Sequence, residues 1–487
     1  MDFLNNIQPR ETALKVLYEI NEKGAYSNIA LNKFLKSSGH TEKDNAFITE
    51  IVYGTVKWKS AIDLVIEKYS KIKLKKLSPY ILNILRMGVY QILYMDKVPD
   101  SAACNESVKL ARKYGHEASS RYVNAVLRSV ARENEAVGNG ATKNETIVNK
   151  AELKDLSHLI NYPDKVKQPA AYLSARYSHP EWMAERWISR FGIEFTESLL
   201  EANSKNPDFT LRVNLLKASR EELAESLRNR GYVVENGKYL PYALVVKNPS
   251  SIMMIDEYKE GLFNIQDESS MLASQILNPQ PGWFVIDVCA APGGKTAHIA
   301  QLMNNTGKVI AGDIHEHKIA LIQQTAKRLG ASIVETMLHD AAVYNENLGE
   351  KADAVLVDAP CTGYGIIRRK PDIKWTSSPG EIAEITKLQA RILDNASKYV
   401  KPGGVIVYST CTIEKEENEM MVENFVASHP DFYLEDISSF LPEGLKKPEA
   451  KNGYIQIYPN VDNIDGFFIS RMRRRQRCET WDKTHLP

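Results

Sequence analysis

Trp283-Phe284-Val285-Ile286-Asp287-Val288 runs straight into Cys289-Ala290-Ala291-Pro292-Gly293-Gly294-Lys295-Thr296. The first six residues, opened by Pro281-Gly282, read as a buried strand. A short apolar run bounded by turn residues suits a sheet covered on both faces. The next eight are small or turn-forming, and their glycines let a backbone approach a ligand ahead of a helix N-terminus. Two nucleotide-binding patterns fail here. Gly294-Lys295-Thr296 resembles the end of a P-loop, but Cys289 stands where its leading glycine belongs, and GxGxxG is absent.

Working outward, further apolar runs at 309–311, 333–336, 354–357 and 405–408 predict four more strands. Helical stretches at 296–303, 316–329 and 382–400 separate most of them, the last two stopped by Gly330 and by Lys401-Pro402-Gly403-Gly404. Alternating strands and helices predict an α/β domain over 261–472 with a Rossmann-like parallel sheet. Ligands of such sheets bind at the carboxyl ends of the strands.

The remainder differs in character. Residues 1–134 read as an all-helical domain: Ala13, Val16, Leu17 and Ile20 form one stripe, and Ser78-Pro79 caps a second amphipathic helix. Lys71, Lys73, Lys75, Lys76 and Arg86 are either a solvated charge run or an RNA contact. Residues 135–167 are polar and include Gly138-Asn139-Gly140, which predicts a linker. Residues 168–260 read as a small α+β module, with a helix at 182–191, a capped helix at 219–230 and strands at 210–214, 232–234 and 243–246. Residues 473–487 form a tail with a basic start that is either an RNA contact or inert.

Composition sets outer limits. A chain of 487 residues holds two to four domains, and 43% hydrophobic with 25% charged residues is ordinary for a globular protein. A net charge of +1 means that any nucleic-acid surface must come from local clusters. No apolar window reaches the length of a membrane span, and Met1-Asp2-Phe3-Leu4-Asn5-Asn6 has no secretory pattern. The five cysteines, Cys104, Cys289, Cys361, Cys411 and Cys478, are scattered without CxxC spacing. Neither a disulfide framework nor a metal site is expected, and a reducing cytoplasm fits.

Candidate chemistry lies at the strand ends. Asp313 ends the second strand, 19 residues after Gly294 (313 − 294), where an acid accepts ribose hydroxyls. Asp340 either borders an adenine or caps a turn. Strand four runs into Asp358-Ala359-Pro360-Cys361-Thr362-Gly363, and strand five into Tyr408-Ser409-Thr410-Cys411-Thr412. A lone cysteine is a small hydrophobe, but two at neighbouring strand ends suit nucleophilic chemistry. A thiolate adding to carbon-6 of cytosine turns carbon-5 into a nucleophile able to take a methyl group. Asp358 is placed to assist at ring nitrogen-3, Lys295 or a helix N-terminus to favour the thiolate, and a second thiol to help the carbon-5 proton leave. Tyr364, Trp375 and Arg368-Arg369-Lys370 follow Cys361 and read as substrate contacts to an unstacked base.

Taken together, Phe263-Asn264-Ile265-Gln266-Asp267-Glu268-Ser269-Ser270, the 289–296 loop, Asp358-Ala359-Pro360-Cys361, Ser409-Thr410-Cys411-Thr412 and Asp465-Gly466-Phe467-Phe468 resemble the Nol/Nop/Sun superfamily. The helical start resembles a NusB-type RNA-binding domain through Arg10-Glu11-Thr12-Ala13-Leu14, Tyr53-Gly54, Arg86-Met87-Gly88-Val89-Tyr90-Gln91 and Asn124-Ala125-Val126-Leu127-Arg128. With Tyr177-Ser178-His179-Pro180-Glu181-Trp182, this narrows the resemblance to the Sun/Fmu family, the 16S ribosomal RNA cytosine-5 methyltransferase B type. Cys104, in Ala103-Cys104-Asn105-Glu106, departs from that pattern.

The resemblance implies S-adenosylmethionine as cofactor, held by the backbone of Cys289, Ala290, Ala291, Pro292, Gly293, Gly294 and Lys295 and by Asp313, Asp340 and Asp358. It implies Cys411 as covalent nucleophile and Cys361 as release partner, an order that spacing alone leaves open. It further implies 16S ribosomal RNA as substrate and a monomer with neither protein partner nor membrane. Two alternatives stay open: a cytosine-5 methyltransferase of another RNA such as tRNA, and a non-catalytic RNA-binding or antitermination protein.

Overall fold

The computed structural model describes residues 8–138 and 154–476, so Cys478 and most of the predicted tail lie outside the described residues. The chain forms two compact units: Met1–Asn206 with Ile367–Pro379, and Pro207–Ile366 with Gly380–Pro487.

The first unit is helical. Ala13, Val16, Leu17 and Ile20 of the helix Pro9–Lys23 are buried, as their spacing predicts. Ser78 caps Pro79–Tyr94 by accepting from the Ile81 amide, with Pro79 in the first turn where its missing N–H costs nothing. Within that helix Arg86 is buried and donates to both oxygens of Asp63 at 2.7 Å, so it holds the helices together and is not an RNA contact. Lys71, Lys73, Lys75 and Lys76 are exposed around the short turn Leu74–Lys76.

Two expectations about the middle of the chain need correction. Within 135–167, Glu117–Gly138 continues as helix, and Leu156, Leu159 and Ile160 are buried in the helical core. Three apolar residues on a single turn are too few to show as a stripe, yet enough to pin the chain. The expected 168–260 module also divides. Helices Pro169–Tyr177, Glu181–Phe191 and Ile193–Ser204 belong to the first unit, where Ser178 Oγ accepts from the Ser60 amide at 3.1 Å.

The second unit carries two sheets. Strands β1 (Phe209–Val213), β2 (Val234–Asn236), β3 (Ala243–Val246) and β4 (Phe263–Ile265) form an antiparallel sheet in the order β2-β3-β1-β4. The helix Arg220–Asn229 between β1 and β2 opens with a complete capping box from Ser219 and Glu222.

The larger sheet comprises β5 (Phe284–Asp287), β6 (Lys308–Asp313), β7 (Val334–Leu338), β8 (Ala352–Asp358), β9 (Val400–Thr410), β10 (Phe432–Leu434), β11 (Tyr454–Ile457) and β12 (Phe467–Arg474). Its order is β10-β12-β9-β8-β5-β6-β7, with β11 paired to β12. Strands β5 to β9 are parallel, as predicted. The last three are antiparallel additions that the strand–helix rhythm did not announce. Arg473 and Arg474 are therefore not the start of a tail: they lie in β12 and pair with Glu435, and with Asp431 and Glu350.

One apolar core joins β1, β3 and β4 to one face of the larger sheet, through Leu211, Val213 and Phe263 packed with Met271, Val285 and Leu356. A second core, including Ile286, Val355 and Tyr408, covers the other face. The chain moves outward from β5 to β6 and β7, then returns to place β8 on the opposite side of β5. The reversal puts a crevice at the carboxyl ends of β5 and β8, the position where open α/β sheets bind ligands.

Candidate active site

Both edges of that crevice carry predicted residues. At the end of β5 the loop turns at Gly293, whose φ of +98° is a left-handed conformation open to glycine at little cost. The same glycine caps the helix Gly294–Leu302. Asp313 closes β6; its Oδ1 accepts from the His315 amide at 3.1 Å, with Lys318 Nζ at 3.5 Å. Asp340 follows β7 and accepts from the Ala342 amide at 2.9 Å, so the turn-cap reading holds for that oxygen. Asp358 closes β8, where it accepts from Lys295 Nζ and from Ser409 Oγ, both at 2.8 Å. Lys295 thus sits on a carboxylate, with the Phe467 ring 5.0 Å from its amine.

The two predicted cysteines meet. Cys361 Sγ lies 3.3 Å from Cys411 Sγ, both thiols part-exposed. The hydrogen bond to Cys411, then burial, push the Cys361 thiol well above its ordinary value. Cys289 is different: burial, with the nearby carboxylates of Asp287 and Asp358, raises its thiol and suits it to a backbone role. Cys104 is buried in the helical unit and is no part of the site.

The turns that carry the sulfurs are tightly joined. The Gly365 amide donates to the Cys411 carbonyl at 3.0 Å, and Gly466 donates to the Gly365 carbonyl at 2.8 Å. A side chain at Gly365 would meet the Gly466 carbonyl at 2.1 Å, so only glycine fits.

The segment after Cys361 corrects another expectation. Tyr364 is fully buried. Beyond Ile366 the chain enters the helical unit, where Trp375 donates its indole N–H to the Val56 carbonyl at 2.7 Å. Lys374 is buried and donates to the carbonyls of Lys57 (2.8 Å) and Ser178 (2.6 Å). Burial drives its amine well below the ordinary value. Tyr364 and Trp375 are therefore anchors and not a substrate surface, whereas Lys370 of the basic run is exposed.

Several residues escaped the sequence reading. Asp287 is fully buried; one oxygen accepts from Thr296 Oγ1 at 2.7 Å and the other has no partner. Burial pushes its carboxyl up to about 7. Arg212 of β1 is also buried and donates to Gln266 and, at 2.7 Å, to the Gly294 carbonyl. Asn214 reaches the carbonyls of Gly261 and Leu329 at 2.8 and 2.7 Å. The smaller sheet thereby clamps both helices that follow the loop ends.

Glu417 and Asn418, buried after Cys411, were hidden in the acidic run Glu414-Lys415-Glu416-Glu417-Asn418-Glu419. The only sequence signal available was their place, six and seven residues beyond Cys411.

The arrangement has known counterparts. The probable ribosomal RNA small subunit methyltransferase B of Bacillus subtilis (strain 168) is 37% identical, over 96% of this chain and 98% of that protein. The 16S rRNA methyltransferase RsmB/F family matches residues 274–473. The chain belongs to this family of rRNA methyltransferases. Within it, the NusB family matches 7–132 and the RsmF/B-like ferredoxin-like domain 179–253, in accord with the helical and α+β parts. The crystal structure of PH0851 is similar over 97% of this chain and 100% of that one, with 28% identity and a TM-score of 0.76. NSun6 from Pyrococcus horikoshii, solved with SFG, is 26% identical over 60% of this chain and 97% of its own, with a TM-score of 0.53. The chain is thus an enzyme of the RsmB/F type, with a Rossmann-like catalytic sheet, a ferredoxin-like middle and a NusB-like start.

Proposed function

We propose that this RsmB/F methyltransferase methylates carbon-5 of a cytosine in 16S ribosomal RNA through a covalent bond from Cys411 to the base. The 3.3 Å approach of Cys361 to Cys411 beside Asp358 carries this reading. S-adenosylmethionine, when bound, supplies the methyl sulfonium. The chemistry of the crevice suits it. Main chain at 289–295 lines one wall, and the carboxylates of Asp313, Asp340 and Asp358 can accept from the hydroxyl and amino groups of a nucleoside and an amino acid.

Cys411, as the thiolate, adds to carbon-6 of the base. Asp358, oriented by Lys295 and Ser409, hydrogen-bonds ring nitrogen-3 and favours that addition. Cys361 takes part in the loss of the carbon-5 proton, after which the bond from Cys411 to carbon-6 breaks.

RNA contact falls to the helical unit, where Lys71, Lys73, Lys75 and Lys76 are exposed. The reading includes a monomer acting in the cytoplasm, without a protein partner. Bisulfite mapping of total RNA from cells with and without the protein tests it. One protected cytosine in 16S ribosomal RNA is expected. A site confined to tRNA would shift the substrate, and no site at all would sink the reading.

A further inference from the structure

The acidic run after Cys411 conceals a carboxylate with no surface role. Glu417 is fully buried, and its side chain reaches back to the other cysteine motif. Oε2 accepts from the Thr362 amide at 3.0 Å and from Gln389 Nε2 at 2.9 Å, while Oε1 accepts from Thr362 Oγ1 at 2.6 Å. Thr362 Oγ1 in turn accepts from Thr412 Oγ1 at 2.8 Å, and Gln389 Nε2 also donates to the Pro360 carbonyl at 2.9 Å. The main-chain carbonyl of Glu417 is fixed by the Tyr408 hydroxyl at 2.9 Å. One carboxylate therefore binds the residue after Cys361 directly, binds the residue before it through Gln389, and binds the residue after Cys411 through a hydroxyl relay.

We propose that Glu417 is a positioning residue of the methyl-transfer site, holding the Cys361 and Cys411 turns at the separation the reaction needs. Burying a carboxylate costs several kcal/mol unless it is well hydrogen-bonded, and every donor to its side chain is uncharged. Two well-packed apolar residues would join the turns at lower cost but could not fix both main chains in direction. A carboxylate accepting three hydrogen bonds can. Its charge adds to the effect of geometry, because Glu417 is among the groups that favour the protonated form of Cys361. The other titratable groups around the pair are Asp358 and Cys289 at the ends of β8 and β5, Tyr408 in β9, and Glu414 beside Glu417.

The inference rests on the two sulfurs working as a pair in the proposed reaction, so its test includes a probe that needs no reaction. Phenylarsine oxide joins two thiols held close together, forming two As–S bonds and releasing water. The full chain and its Glu417→Gln, Thr362→Val and Thr362→Ser variants are compared for arsenical affinity, S-adenosylmethionine affinity and steady-state methylation. Glu417→Gln is expected to lower kcat by about 10²-fold, the cost of a misplacement near 1 Å. KM for RNA and affinity for the methyl donor should stay within about twofold, while arsenical affinity falls about tenfold, an estimate from the same loss of preorganisation. Thr362→Val should move both readouts in the same direction and Thr362→Ser should restore them. Unchanged kcat and arsenical affinity in Glu417→Gln and Thr362→Val would overturn the proposal. So would a parallel loss of methyl-donor affinity, which marks general collapse. If the parent chain methylates no cytosine, the proposed reaction fails while the arsenical comparison still judges Glu417.

Discussion

Trp375 donates its indole N–H to the main-chain carbonyl of Val56, a bond that closes 319 residues of chain inside the helical unit. Beside it, Lys374 gives its buried amine to two further carbonyls. A segment that leaves the catalytic sheet only five residues after Cys361 thus completes the core of another unit.

Trp375→Ala should accordingly act on folding. Loss of a large, mostly buried aromatic costs about 3–5 kcal/mol. Hydrogen exchange resolved by peptide is expected to show the loss concentrated in Glu42–Lys57 and Lys59–Tyr69. Protection unchanged in those helices would show that Trp375 is dispensable there.

The two cysteines should separate by phenotype. Cys411→Ala is expected to abolish methylation without trapping RNA. Cys361→Ala should accumulate a denaturation-resistant protein–RNA adduct, because the bond from Cys411 to the base forms but is not released. Electrophoresis under denaturing conditions decides it, and trapping by Cys411→Ala would reverse the roles.

Asp287 should make the fold sensitive to neutral pH. Its folded-state carboxyl, pushed up to about 7 by burial, holds a proton that the unfolded chain releases near its ordinary value of 3.8. Between those values the native state binds more protons, so stability falls as pH rises through that window. Asp287→Asn keeps the shape without the titration. Urea denaturation at pH 5 and pH 8 should show the parent losing more stability than the variant over that interval. An equal change in both would remove Asp287 as the cause.

The arginines near the end of the described chain should be silent toward RNA. Arg473 and Arg474 are committed to Glu435, Asp431 and Glu350 across the edge of the sheet. Alanine at each should cost about 1 kcal/mol of stability, as part-exposed ion pairs do. The slope of RNA affinity against salt should stay as it was. Replacing Lys71, Lys73, Lys75 and Lys76 by alanine should flatten that slope, since each lost phosphate contact removes roughly 0.7–0.9 from it. A slope that responds to the arginines and not to the lysines would reverse the assignment.

The sequence made the centre of the catalytic unit legible because short apolar runs, bounded by turn residues and alternating with helices, fit buried strands. Cys361 and Cys411 at the ends of two such runs then had to be neighbours once β8 and β9 paired. What stayed illegible has a common physical cause: polarity was read as exposure. Glu417, Lys374 and Arg212 are charged residues whose burial is offset by partners far away in sequence, and no local window contains those partners. Leu156, Leu159 and Ile160 erred the other way, being too few to mark a core element. The order of the two thiols comes from resemblance alone, since in their 3.3 Å contact either sulfur can be the donor.

The placement of Ile367–Pro379 in the helical unit also bears on how the protein is made. A ribosome that has finished Asn206 must add 173 residues (379 − 206) before the chain holds everything the helical core requires. At about 5–20 residues per second that is roughly 10–35 s. During this interval the pocket for Trp375 stands open on a nascent chain, and the carbonyls of Val56, Lys57 and Ser178 are left to water. The first unit to be synthesised is therefore completed only after much of the second has emerged.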